Sequence, residues 1–315
     1  MQLINPDLHV DFLGKRKIAM LLSAVMIVLS LGLIVGKGLN FGIDFTGGTL
    51  VEVQFKEAPA VADIRKALKP AGYEQAIIQE FGAPEEILIR VQNQDTSEAA
   101  KISTDILDAL AAGFGAEAVE MRRVEFVGPQ VGEELTQAGI MAVLFAMVAI
   151  LIYVTFRFKL RFAIGADAAL LHDVTILVGI FALTGKEFSL PVVAAILTVI
   201  GYSLNDTIVV FDRIRENFAF NRKKKSPDNE VDVVNGSINQ TLGRTLMTSV
   251  TTLLVVAALF LFGGEVIHDF AFALIVGIVV GTYSSIYIAS PVMLALEGRF
   301  GSNDDEEMEK LEARP

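Results

Sequence analysis

The 315-residue chain has no cysteine. Disulfides and thiolate metal sites are therefore excluded, and cysteine usage says nothing about the redox compartment. Enzyme signatures are missing as well: no HExxH, no GxSxG and no Cys nucleophile occurs, so no cofactor and no metal is expected. Positive charge is scarce in total. A formal net charge of −11 argues against non-specific nucleic-acid binding. Apolar side chains are what the sequence does have. They make up 53% of the chain, and the mean hydropathy is +0.54. That is too apolar for an ordinary soluble protein and points to a lipid bilayer.

Six long apolar runs stand out, at Ile18–Gly36, Leu135–Phe156, Phe162–Leu183, Leu190–Phe211, Thr241–Phe262 and Phe270–Leu296. Each reaches about 20 residues, which spans a hydrocarbon core of about 30 Å at about 1.5 Å per residue. None shows the two-residue alternation of a barrel strand, so the spans are helices. Lys and Arg set the orientation. Lys15, Arg16 and Lys17 precede the first span. Arg157, Lys159 and Arg161 fill the link between spans two and three, and Arg213, Arg215 and Arg222–Lys225 lie between spans four and five. The opposite loops, around Gly185–Glu187 and Gly263–His268, are nearly free of them. Six crossings with both termini cytoplasmic satisfy all three clusters. The expected organisation is a cytoplasmic N-terminus (1–17), a first span (18–36), a periplasmic domain (37–133) and spans two to six (135–296). A cytoplasmic loop at 213–240 and an acidic cytoplasmic tail at 297–315 complete it. The first span resembles a signal peptide in its basic start, but its core is too long and no small-residue cleavage site follows.

Segment 37–133 carries no His and no Cys, hence no catalytic constellation. Its pattern predicts a strand at 49–55, a helix at 61–72 stopped by Pro70 and Gly72, and strands at 75–81 and 86–92. A helix at 97–115 and a strand at 118–128 follow. The order βαββαβ is that of a small α+β ferredoxin-like domain. Its excess of Asp and Glu is most simply a solvated face; contact with a polypeptide or a partner subunit is the other reading. GIDFTGGT (42–49) joins the first span to this domain. Gly47 and Gly48 permit backbone angles closed to other residues, which suits either a tight linker or a hinge. Asp44 there caps the turn or ion-pairs near the membrane surface.

Polar groups inside the spans separate a passive anchor from a machine. Span three holds Asp167, His172 and Asp173; span four holds Ser203, Asn205, Asp206 and Thr207; span five holds Arg244 and TLMTSVTT. Helical spacing sets Thr241, Thr245, Thr248, Ser249 and Thr252 on one stripe, and Thr198, Tyr202, Asn205 and Asp206 on one face. Asp206 lies roughly 10 Å inside the cytoplasmic interface, near the depth at which Arg244 enters from the other direction. Either Asp206 exchanges an ion there, with Arg244 adjusting its proton affinity, or the two form a static pair that fixes helix packing. His172-Asp173 is either a polar clamp to a neighbouring helix or a proton carrier.

GIDFTGGT, VEFVGPQVGEEL before span two, HDV in span three, GYSLNDTIVVFDRIREN in span four and RTLMTSVTT in span five together resemble the SecD/SecF family of protein-export membrane proteins. They resemble its SecF members more than the SecD members, whose external domain is much larger. The resemblance runs from Lys15 to about Leu296. It implies a half-transporter fold of the resistance–nodulation–division type: six transmembrane helices and one extracytoplasmic domain, completed by SecD as a pseudo-twofold second half. It also implies an accessory, non-enzymatic role at the inner membrane of bacteria. Proton or sodium flow, with H+ or Na+ as coupling ion, would help draw preproteins outward through the SecYEG translocon. The family's coupling Asp and Arg fall on Asp206 and Arg244. Asn205, Thr248, Ser249, Thr252, His172 and Asp173 are candidates for the supporting polar pathway, and Asp44, Gly47 and Gly48 for the hinge. A small-molecule exporter half of the same superfamily and a purely structural assembly subunit are the competing readings.

Overall fold

The structure, a computed structural model, describes residues 9–92 and 99–296. The expected acidic tail (297–315), residues 1–8 and the start of the helix expected at 97 lie outside the described residues. In chain order the elements are α1 (Arg16–Gly36), β1 (Asn40–Phe41), α2 (Ile43–Thr46), β2 (Gly48–Phe55) and α3 (Val61–Leu68). Then come β3 (Ile77–Phe81), β4 (Ala83–Val91), α4 (Ala99–Phe114), β5 (Val119–Val127) and α5 (Pro129–Arg157). The chain continues with α6 (Leu160–Thr184), β6 (Glu187–Phe188), α7 (Leu190–Arg222), α8 (Glu230–Phe262) and α9 (His268–Ser284).

β2, β3, β4 and β5 form an antiparallel sheet in the order β3-β4-β2-β5. With α3 and α4 as crossovers this is the ferredoxin-like topology. Strand alternation sorts the side chains. Val51, Val53, Ile87 and Ile89 point to one face and pack on Ile64 and Leu68 of α3 and on Ile106 and Leu110 of α4. Each such side chain, fully buried, stabilises the domain by about 1.5–3 kcal/mol. Leu50 and Leu88, one residue out of phase, point to the other face and pack on Ile43 of α2. The small domain therefore rests on the membrane unit through its second sheet face.

Among the described residues, six helices are long and apolar enough to cross a membrane: Leu13–Gly36, α5, α6, α7, α8 and His268–Leu296. The chain is a multi-pass membrane protein. α6, α7 and α9 are the central helices, half or more buried along their apolar windows, whereas α1, α5 and α8 turn most of theirs outward. Small residues let the central backbones meet. An added Cβ on Gly277 would lie 2.1 Å from Val199, one on Gly281 3.0 Å from Ser203, and one on Gly179 2.2 Å from Ser30 of α1. Close approach of this kind is what drives helix association where lipid tails are as apolar as the side chains. Beyond Ser284 the last helix widens into a π turn over Ser285–Ala289, in which Ser290 Oγ donates to the Ser285 carbonyl at 3.0 Å.

The segment expected as a loop at 213–240 differs. α7 and α8 each have 33 residues, roughly 50 Å, which exceeds a bilayer core of about 30 Å. α7 stays helical to Arg222 and α8 begins at Glu230, so only 223–229 is a turn. Hydropathy detects bilayer depth and misses this part. Amphipathic packing holds it instead: Ile214 and Phe218 of α7 pack with Val234 and Ile238 of α8 in one buried cluster. Asn221 closes the turn by exchanging hydrogen bonds with the backbone of Asp228, and Asn229 caps α8 by accepting from Val231 N.

Candidate functional site

Asp206 sits midway along α7 and is 1% exposed. Two hydroxyls of α8 donate to it, Thr248 Oγ1 to Oδ1 and Ser249 Oγ to Oδ2, both at the long distance of 3.4 Å. The Ser249 hydroxyl is shared further. It lies 2.7 Å from Thr282 Oγ1 on α9 and accepts from Tyr202 OH at 3.3 Å. The α8 stripe read from the sequence faces inward: Thr241, Thr245 and Ser249 are buried, and Thr248 and Thr252 half-buried. Thr252 donates to the Thr248 carbonyl and does not reach Asp206.

Arg244 does not form a contact ion pair with Asp206, the static alternative of the two readings. Its guanidinium is exposed, and no N–O approach within 4.0 Å joins the two. The link is indirect: Thr248, one turn along α8, donates to both the Arg244 carbonyl at 3.2 Å and Asp206. The supposed polar face of α7 is also split. Successive helical residues are about 100° apart, so Asn205 and Asp206 point to different surroundings. Asp206 is buried, while Asn205 and Thr198 are exposed.

His172 and Asp173 build a second polar centre on the other side of the α7–α9 pair. His172 Nδ1 lies 2.9 Å from Asp173 Oδ1, and Oδ2 accepts from Ser203 of α7 at 2.6 Å and Ser284 of α9 at 2.8 Å. The His172 ring stacks on Tyr283, whose hydroxyl donates to the Ala19 carbonyl of α1 at 2.8 Å. Asp173 thus clamps three helices, and Tyr283 ties in a fourth. The sequence analysis did not single out Thr282, Tyr283 or Ser284. The polar run TYSS within an otherwise apolar span was the available signal.

The glycine motif is a close-packed connection. Gly47 has φ +66° and Gly48 φ +121°, values that L-residues avoid. An added Cβ would also meet Pro129 Cα at 3.0 Å from Gly47 and the Val91 carbonyl oxygen at 2.5 Å from Gly48. Asp44 Oδ2 accepts from Leu190 N at 2.8 Å, satisfying one of the free amides at the start of α7. β1 pairs in parallel with β6, and Gly42 N continues the ladder to the Phe188 carbonyl at 2.9 Å. The motif is therefore tied to the first turn of the helix that carries Asp206.

A family model described as the C-terminal part of the protein export membrane protein SecD/SecF matches residues 107–299, and one for the SecD/SecF GG motif matches residues 32–59. The protein translocase subunit SecF of Magnetococcus marinus is 52% identical, over 94% of this chain and 95% of its own length. That of Desulfurispirillum indicum is 46% identical over 98% and 97%. Among solved structures, the translocon-associated membrane protein SecDF of Thermus thermophilus is similar with a TM-score of 0.84 at 39% identity, over 94% of this chain and 40% of that one. SecDF in a super-membrane-facing form gives 0.69 at 38% identity, over 98% and 41%. This chain thus spans about two fifths of the solved SecDF chains while matching SecF relatives nearly end to end. With motif, helices and domain in the same order as these relatives, the chain belongs to the SecD/SecF family of protein-export membrane proteins, on its SecF side.

Proposed function

We propose that this chain pairs with SecD in the inner membrane and uses a transmembrane proton or sodium gradient to promote preprotein translocation through SecYEG. The observation that carries the reading is Asp206: a carboxylate enclosed at the middle of a central helix, with two long hydroxyl contacts and, among the described residues, no counter-charge touching it. Such a site can bind and release H+ or Na+ without dismantling a tight network. Arg244 acts on it through space from the neighbouring helix. Thr248 and Ser249 are the first steps of a polar path, which Tyr202 and Thr282 extend.

Exposed polar groups at bilayer depth support the partner. Thr198 and Asn205 lie on the open side of α7 together with Gly201, where a second set of helices would satisfy them better than lipid. The clusters of Lys and Arg support an orientation with both termini and the α7–α8 turn in the cytoplasm and the α+β domain outside. The two SecDF forms match this chain at nearly equal identity but different TM-scores, which fits a fold that changes shape as it works. Gly47 and Gly48 are the hinge of that change.

The test is translocation into inverted membrane vesicles carrying this chain with SecD and SecYEG, with the H+ and the Na+ gradient imposed separately. Asp206→Asn keeps the size of the side chain. It should remove the gradient-dependent part of export while SecD still co-purifies. Full gradient-driven export by this variant would reduce Asp206 to a packing element.

A further inference from the structure

Between the α+β domain and the membrane unit stands one largely enclosed ionic contact. Arg90 belongs to β4, on the sheet face opposite the domain core, and its side chain is 5% exposed. Its Nη1 donates to the Phe41 carbonyl at 2.8 Å, and its Nη2 reaches Asn40 Oδ1 at 3.3 Å and Gln79 Oε1. The same Nη2 lies 3.7 Å from Glu187 Oε2 in β6, while Nε has no acceptor among the described residues. β6 directly precedes α7. Arg90 therefore ties the domain to the outer end of the helix that carries Asp206, next to the cap that Asp44 places on Leu190.

The surroundings make this contact narrow. Two clefts of about 400 Å³ each border it. One runs along Tyr73–Ile77 to Arg90 and Gly47; the other lies between Gln79–Gly82 and the turn Thr184–Glu187, with His268 and Asp269 behind. Besides the small apolar patch of Ile43, Leu50 and Leu88, the domain is propped on a post with open space on either side. The ionic part of this contact is long, at 3.7 Å, and one guanidinium donor has no acceptor among the described residues, so it is easier to part than a filled core.

We propose that the Arg90–Glu187 contact is a releasable joint through which a displacement of α7 is delivered to the α+β domain. The proposal rests on the ion-coupling reading above for the source of the displacement; the joint itself stands on its geometry. It makes Arg90 and Glu187 positioning residues. Charged groups converge on Glu187 from every neighbouring element: Arg90 from β4, Asp269 from α9, Asp44 from α2 and Glu125 from β5. Lys186 is occupied by Asp269 at 2.7 Å, and Asp269 Oδ2 accepts from Glu187 N at 3.1 Å. Burial lifts the Glu187 carboxyl above its ordinary value; Arg90 opposes the rise, and the three acidic groups add to it. The seated joint thus holds a proton more tightly than an exposed glutamate does. By linkage, acid pH favours the seated form, and raising the pH past the lifted pKa weakens it.

The absence of native cysteine allows clean spin-labelling of the full chain in complex with SecD, at Glu117→Cys on the domain and Leu183→Cys at the end of α6. Arg90→Met leaves Glu187 buried without its cation. It should broaden and lengthen the 117–183 distance and lower gradient-driven export about fivefold or more, the lower end of usual coupling between sites. Arg90→Met with Glu187→Gln removes the stranded charge as well as the contact; it should keep the long distance while recovering the parent's Tm, which separates release of the joint from misfolding. Glu187→Gln alone should hold the short distance from acid to alkaline pH, where the parent lengthens. An unchanged distance in Arg90→Met, undiminished export by that variant, or a surviving pH response in Glu187→Gln would overturn the joint. Gradient-driven export by Asp206→Asn would sink the coupling reading instead and leave the distance results to decide the joint alone.

Discussion

Asp173 and Asp206 are each 1% exposed, lie on adjacent central helices, and are a single turn of α7 apart, since Ser203 serves the first and Asp206 is the second. Asp173 has three partners at 2.6–2.9 Å from α6, α7 and α9. Asp206 has two, both at 3.4 Å and both from α8. Burial alone therefore does not tell a tightly clamped carboxylate from a loosely held one; the number and length of its hydrogen bonds do. The first centre holds helices together. The second is held by α8 through long contacts alone, while the short bond of Ser249 runs to Thr282 of α9.

The sharpest way to break that contrast is truncation. Asp173→Ala strands Ser203, Ser284 and His172 in the core and should cost about 3–5 kcal/mol, read as a large fall in Tm in detergent. Asp206→Asn should stay within about 1 kcal/mol of the parent, because only two weak contacts change. Equal losses for the two would erase the distinction.

Arg244 gives the next test. It touches no carboxylate among the described residues, so Arg244→Met should leave Tm unchanged while lowering gradient-driven export about tenfold through lost long-range attraction. The double variant with Asp206→Asn should not recover export. Recovery would mean that the two side chains form a static pair in the working complex. The smallest effects should come from the hydroxyls. Ser203→Ala removes a 2.6 Å donor and should cost about 1–2 kcal/mol of stability. Ser249→Ala removes the 3.4 Å donor to Asp206 together with the 2.7 Å hydroxyl contact to Thr282. It should shift the midpoint of the ion dependence about threefold and cost about 1 kcal/mol of stability. An unmoved midpoint would leave Ser249 as a packing hydroxyl only.

The six spans, the domain between the first two and the βαββαβ order are all legible in the linear chain. Bilayer crossing depends on the sum of side-chain transfer energies along about 20 residues, and a half-buried strand shows its alternation locally. Asp206, His172, Asp173 and the α8 stripe could be picked out because an ionisable or polar residue in an apolar run is conspicuous wherever its partners lie. The reach of α7 and α8 beyond the bilayer could not, because charged helical turns look like a loop until Ile214 and Phe218 find Val234 and Ile238.

Partnership was decided by the tertiary structure. Spacing alone suggested Asn205 on one face with Asp206 and left open whether Arg244 touches it, whereas helix rotation exposes Asn205 and leaves Thr248 between Arg244 and Asp206. Asp44 capping α7, Ser284 closing on Asp173 and Arg90 meeting Glu187 join residues 146, 111 and 97 positions apart. Local periodicity records which face of a helix or strand is apolar, but it holds no information about which distant face will be laid against it. Sequence chemistry therefore determined that this chain crosses a membrane six times and keeps carboxylates inside it. Only the packing of α6, α7, α8 and α9 decided which carboxylate is clamped and which is left loose, because hydrogen-bond lengths are set by where neighbouring backbones come to rest.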